Sequence, residues 1–157
     1  MTPHIRIARA ADAPMIAQFN ALMALETEHR TLDQETLRKG VETIIREASN
    51  GTYYVAEMDN RVVGQLLITY EWSDWRNGVF WWIQSVYVRE EFRGHGIFKA
   101  LYRHVEGMAR KQARTCGLRL YVEQENQSAI RAYQKLGMKK TPYELYEIDF
   151  VLGKGSR

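Results

Sequence analysis

The residues best suited to chemistry are Arg93-Gly94-His95-Gly96-Ile97-Phe98-Lys99, which join an apolar run to an amphipathic one. A helix start leaves several backbone N–H groups without partners, and the helix dipole adds partial positive charge there. Two glycines let the backbone approach an anion and take conformations that bulkier residues resist. Arg93 and Lys99 add full charges. This chemistry suits a pyrophosphate, although on these residues alone a tight turn explains the glycines as well. Two familiar phosphate loops fail on spacing. A dinucleotide fingerprint needs Gly three residues after its second Gly, where this chain has Lys99. A P-loop needs Gly-Lys-Ser/Thr, which is absent.

Other reactive side chains are few. His4, His29 and His104 have no Cys or carboxylate at ligand spacing, so no metal site is expected. His95, inside the loop, faces either phosphate or solvent. Cys116 is the single cysteine, which excludes an intramolecular disulfide and a cysteine-built zinc site. It reads as a small hydrophobe ending the apolar stripe of a helix.

The elements that must position the loop alternate along the chain. Ile5 to Ile7 is a short first strand. Asp12 reads as an N-cap with Pro14 just inside a helix, and Ile16, Phe19 and Met23 recur at helical spacing. Asp33 opens a second helix with Leu37, Val41, Ile44 and Ile45 as its stripe, stopped by Asn50-Gly51. Tyr53–Glu57 and Val62–Tyr70 are strands around Asp59-Asn60, a hairpin signal. Phe80–Val88 is nearly continuous in apolar residues, as for a strand buried on both faces. Ile97, Leu101, Val105, Met108 and Ala109 mark a long helix. Leu118–Val122 is a strand, Ser128–Leu136 a helix closed by Gly137, and Tyr143–Phe150 a last, alternating strand. The expected class is a mixed α/β or α+β sheet, with a parallel, right-handed crossover over residues 80–122.

The whole chain has 157 residues, 45% hydrophobic and 26% charged, which suits one domain with a real core. That domain is expected over residues 4–152, with Gly153–Arg157 as a loose tail. A net charge of +3, from interleaved opposite charges, argues against nucleic acid. No apolar h-region opens the chain and no run approaches the ~20 residues of a membrane span, so a cytoplasmic location is expected.

Two motifs in order carry a resemblance to a known family. Val86-Tyr87-Val88-Arg89-Glu90-Glu91-Phe92-Arg93-Gly94-His95-Gly96-Ile97 resembles the Arg/Gln-x-x-Gly-x-Gly/Ala motif of the GNAT acyltransferase superfamily. Asn126-Gln127-Ser128-Ala129-Ile130-Arg131-Ala132-Tyr133-Gln134-Lys135-Leu136-Gly137-Met138 resembles its Asn-x-x-Ala-x-x-x-Tyr-x-x-x-Gly-Phe segment. The resemblance covers residues 4–150. It implies a mostly antiparallel sheet whose parallel central strands, near 80–88 and 118–123, splay apart between flanking helices. It also implies acetyl-CoA as cosubstrate, its pantetheine arm along Ser85, Val86, Tyr87 and Val88. The pyrophosphate is then held by Arg93 to Lys99, with Asn126 steadying the coenzyme or capping a helix. The family's final Gly or Ala is Phe98 here, a departure that bears on how the phosphates seat.

Aminolysis of a thioester needs a neutral amine and a proton for the departing thiolate. Tyr133 matches the family's general acid, against the alternative of a core ring with a satisfied hydroxyl. The position where many relatives carry a basic carboxylate is Gln84, which cannot accept that proton. Glu71, Asp74 and Glu123 are the other candidates, with Glu71 preferred.

Glu71-Trp72-Ser73-Asp74-Trp75-Arg76-Asn77-Gly78 resembles the Tyr/Phe-Ser-Thr-Trp-x-Gly stretch of diamine and polyamine N-acetyltransferases. Glu26 matches an acidic position there. Glu26, Trp72, Trp75 and Gln84 are therefore expected to receive a small amine or amino-acid-like acceptor; packing under a loop is the alternative for the two Trp. A protein N-acetyltransferase and a non-catalytic acyl-CoA-binding module are the rival readings. The resemblance also allows a homodimer.

Overall fold

The computed structural model describes residues 2–152; the expected tail, Gly153–Arg157, lies outside them. By its internal contacts the chain forms two compact units, Met1–Glu123 and Gln124–Arg157.

The first unit is a five-stranded sheet in the order β1-β2-β3-β4-β5. β1 is His4–Ile7, β2 Thr52–Met58, β3 Arg61–Ser73, β4 Gly78–Val88 and β5 Thr115–Arg119. β1 to β4 are antiparallel neighbours, whereas β4 and β5 run parallel. The crossover between β4 and β5 contains α3, Ile97–Lys111, while α1, Ala13–Glu28, and α2, Gln34–Arg46, lie between β1 and β2.

Both faces of the sheet are covered, which explains the near-continuous apolar runs of β3 and β4. Strand alternation divides β2 between them. Tyr53 and Val55 join Ala13, Ile16, Val41 and Leu67 in one core cluster. Tyr54 meets His104 of α3, with ring centroids 5.5 Å apart, on the other side. Phe19, Leu66, Ile68, Leu101 and Val105 are fully buried, and each such side chain contributes about 2 kcal/mol.

Asp12 does not cap α1 with its side chain. Its carboxylate takes two hydrogen bonds from Arg6, at 2.7 and 3.0 Å, and one from the Arg9 N–H. Asp33 does cap α2, accepting from the Thr36 N–H at 2.9 Å. β5 begins earlier than the apolar pattern predicts, and Cys116 lies in it, half-buried, beyond the end of the helix. Thr115-Cys116-Gly117 lacks a strand's usual pattern. The glycine is needed for close approach, because a Cβ there would stand 2.7 Å from the Phe80 ring.

The second unit contains α4, Gln127–Lys135. Residues 143–150, expected as a last strand, carry no strand structure. Tyr143 and Leu145 are exposed, and so are Tyr146, Ile148 and Phe150. Alternation in sequence is compatible with a strand, but a strand exists only through a ladder with a neighbour.

Candidate active site

The parallel pair β4 and β5 separates part-way along. Its paired residues run from Val79↔Thr115 to Trp82↔Arg119, and among the described residues no strand pairing continues on that side of Ile83–Val88. Arg89 N–H donates to Val63 O on β3 at 2.8 Å. By alternation the Val86 and Val88 N–H groups then point to the splayed side, away from β3. Just before them β4 bulges. Gln65 pairs with Tyr87 but Leu67 pairs with Gln84, so Ser85 and Val86 together oppose Leu66. Ser85 takes φ 50°, a left-handed conformation uncommon for a residue with a Cβ.

β4 leads through a short 3-10 turn, Glu90–Phe92, into the glycine loop and α3. Gly94 and Gly96 have φ 79° and 80°, and Gly96 is the N-cap of α3. A Cβ on either would meet no atom within 4 Å. Backbone conformation, not crowding, therefore requires the glycines, and the space over the loop is open to a ligand. Buried Ile97 anchors the helix start, while Lys99 in the first turn is exposed. His95 is exposed, its Nδ1 3.0 Å from Arg93 O. Phe98 is half-buried, and its ring lies 6.2 Å from that of Tyr102 on its own helix.

Arg93 reaches in two directions. Its Nε donates to Val88 O at 2.8 Å, and one Nη stands 2.9 Å from the Glu26 carboxylate. Tyr87, whose ring centroid is 5.3 Å from the guanidinium, donates its hydroxyl to the same carboxylate at 3.3 Å. Burial, with the Glu26 charge adding, pushes the Tyr87 hydroxyl above its ordinary range.

The four residues expected around the acceptor do not come together. Glu26 stands beside Tyr87, near the far end of β4. Gln84 lies mid-strand and donates to Thr69 Oγ1. Trp72 and Trp75 belong to the β3–β4 hairpin, where Ser73 pairs with Gly78. From Phe80 to Val88 a strand spans about 25 Å. Trp75 is 84% exposed at the turn, and Trp72 is half-exposed with the Arg114 guanidinium 5.7 Å from its ring. Glu71, opposite Phe80, is ion-paired to Arg119 at 2.7 Å. Arg119 in turn covers the Phe80 ring at 3.6 Å.

In the second unit, Asn126 caps α4 by accepting the Ala129 N–H at 3.2 Å. Tyr133 is half-buried, and burial raises its hydroxyl above the ordinary tyrosine range, so it stays protonated near neutrality. Among the described residues no group of three His, Cys, Asp or Glu is gathered to hold a metal. No described helix is long and apolar enough to cross a membrane.

The model of the acetyltransferase (GNAT) family matches residues 18–138. The chain belongs to this family.

An uncharacterized N-acetyltransferase of Methanocaldococcus jannaschii is 38% identical over 87 residues, which are 55% of this chain and 52% of that protein. The match thus spans about half the length of that relative. A possible acetyltransferase from Clostridium difficile 630 is 43% identical, with a TM-score of 0.88 over 96% of this chain and 99% of that one. A predicted acetyltransferase from Clostridium acetobutylicum, solved with acetyl-CoA, shares the fold at 16% identity. Its TM-score is 0.75, over 96% of this chain and 97% of that one.

Within the GNAT fold, the sequence motifs located the loop and β4 but not the Ser85 bulge. Nor did they single out Gln65, buried beneath that bulge. The only signal was a lone amide inside the apolar run Val62–Tyr70.

Proposed function

We propose that this chain is an acetyl-CoA-dependent N-acetyltransferase acting on a primary amine, with residues 4–152 as one catalytic domain. The observation that carries the reading is the continuity from an open strand edge to an open helix start. The edge of β4 beyond Trp82 offers the Val86 and Val88 N–H groups to a pantetheine arm. Six residues after Val88 the left-handed Gly94 opens onto the start of α3, where backbone N–H groups suit a pyrophosphate. Arg93 and Lys99 supply charge, and the lean of Phe98 toward Tyr102 is compatible with phosphates over the loop.

The amine nitrogen attacks the thioester carbon directly, the carbon–sulfur bond breaks, and the thiolate takes a proton from Tyr133. The proton lost by the amine passes to water, with Glu71 as the assigned carboxylate. One oxygen of that carboxylate already accepts from Arg119 at 2.7 Å, so a water relay carries more of the burden than Glu71 does. For the acceptor, Glu26 and Gln84 are the polar groups along β4, and Glu26 suits a cationic small amine or amino-acid-like molecule.

Thiol release from acetyl-CoA across a panel of amines tests the proposal. Release with a small amine supports it. Release only with peptide amines points to a protein N-acetyltransferase, and tight coenzyme binding without release to a binding module.

A further inference from the structure

The Ser85 bulge is tied from behind by a buried polar chain. Gln65 is fully buried on β3, and its Nε2 uses both hydrogens. One goes to Ser85 O at 3.0 Å and the other to Asn20 Oδ1 at 2.8 Å. Asn20, on α1, passes its own Nδ2 hydrogen to the Tyr53 hydroxyl on β2 at 3.0 Å. Three elements therefore converge on one carbonyl of β4. The Gln65 Oε1 is buried with no partner among the described residues. A buried polar atom left unpaired is unfavourable, and an aliphatic side chain would avoid that penalty. The amide donates at both hydrogens and accepts at neither lone pair, so its contribution here is donation.

That donation stabilises a conformation Ser85 would not otherwise choose. At φ 50° its Cβ is strained, and a regular strand would relieve the strain by absorbing the extra residue. A one-residue change of register exchanges the two sides of a strand. The Val86 and Val88 N–H groups would then turn from the splayed side toward β3. We propose that Gln65, backed by Asn20 and Tyr53, is a positioning residue that holds the β4 bulge and so sets where the thioester lies. This rests on the acetyl-transfer reading above, in which the arm pairs with β4. The glycine loop sits beyond the bulge and has its own anchor in Ile97, so the pyrophosphate contacts are independent of the tie and only the arm's contacts are at stake.

The test replaces Gln65→Leu, with Tyr53→Phe as a gentler break in the same chain. Thiol release, coenzyme affinity and amide NMR shifts of Val86 and Val88 are measured on folded protein. Gln65→Leu should lower kcat about 100-fold, the scale for misplacing reacting atoms by about 1 Å, with coenzyme Kd raised by no more than about 10-fold, the scale of the arm's lost hydrogen bonds. Tyr53→Phe should act in the same direction and less. Adding Ser85→Gly to Gln65→Leu should recover turnover, because glycine takes the left-handed conformation without help; a residue that merely filled space would show no such rescue. Unchanged kcat in Gln65→Leu overturns the proposal. So does a parallel loss of kcat and affinity that Ser85→Gly leaves untouched. A wild type that binds acetyl-CoA and releases no thiol defeats the transferase reading instead. The tie is then judged on the Val86 and Val88 shifts induced by coenzyme, which must differ in Gln65→Leu.

Discussion

Arg93 and Glu26 are joined by an ion pair of 2.9 Å that links the loop before α3 to the last turn of α1. Both side chains are roughly two-fifths exposed, so the pair itself contributes little, about 0.5 kcal/mol. Its interest lies in what each partner is proposed to do. Glu26→Gln should raise KM for cationic amines about 5- to 10-fold while leaving coenzyme Kd equal or slightly lower, since Arg93 no longer has a competing carboxylate. Steady-state kinetics with charged and neutral amines, and calorimetry with coenzyme, read the two effects separately. Equal KM for both amine types would remove Glu26 from the acceptor site.

Gly96→Ala places a Cβ on a residue with φ 80° at the N-cap of α3. The space around it is open, so the effect is conformational. The strain is about 1 kcal/mol or more. Relaxation of the loop should weaken coenzyme binding about 10-fold or more, while a Gly107→Ala control in the exposed interior of α3 should not weaken it. Titration calorimetry with CoA decides between them.

Tyr133→Phe should lower kcat by about 100-fold, the lower end for general-acid catalysis, with coenzyme affinity nearly unchanged. Because burial raises the Tyr133 hydroxyl, its proton is retained through neutrality and lost only in alkali above the ordinary value of about 10. The alkaline fall of kcat in the wild type should therefore be displaced upward, and absent from the variant. A variant with wild-type turnover removes the tyrosine from the mechanism.

Glu71→Gln and Arg119→Met separate a base from an ion pair. If Glu71 accepts the amine proton, the first variant loses turnover about 10-fold or more, and the second changes turnover as well, because it frees the carboxylate oxygen that Arg119 occupies. Equal, small losses of thermal stability with unchanged kcat would assign the pair to holding β3 and β5 together.

Arg6 binds Asp12 at 2.7 Å and Glu57 at 2.8 Å, with the Arg6 and Asp12 side chains about nine-tenths buried. Its hydrogen bonds hold both carboxyls below their ordinary range. In the unfolded chain they regain values of about 3.9 and 4.3, so between folded and unfolded values the unfolded state binds more protons. The stabilisation is complete above those unfolded values and falls away as the pH drops through the lower, folded ones. Arg6→Met should destabilise by about 2 kcal/mol at neutral pH, less than for a fully buried pair because Glu57 keeps some solvent. Urea titrations should show that difference shrinking below about pH 4, as both carboxyls become neutral.

What was legible in the sequence was local chemistry. Gly94 and Gly96 before an amphipathic run predict a helix start that can face an anion, because backbone freedom and unpaired N–H groups are properties of a few adjacent residues. Asp33 predicts its cap for the same reason, and Tyr53–Glu57 and Phe80–Val88 predict strands from their apolar content alone. Asp12 shows the limit. It has the right type and place for a cap, yet a guanidinium six residues earlier claims its carboxylate.

The rest depended on partners distant in sequence. Cys116 moved from a helix end to a strand because β4 pairs with Thr115 and Gly117 on either side of it, and residues 143–150 formed no strand despite their alternation. Gln65 reads as an oddity in an apolar run until α1, β2 and β4 bring Asn20, Tyr53 and Ser85 around it. Glu26 and Trp75, expected at one site, lie toward opposite ends of β4, since strand register converts sequence distance into length. The sequence by itself determined the family and a glycine loop at a helix start, whose conformation needs only neighbouring residues. Only the tertiary structure decided the bulge, the splay of β4 from β5 and the pairing of Arg93 with Glu26, because each requires a hydrogen-bond or strand partner that a one-dimensional pattern does not specify.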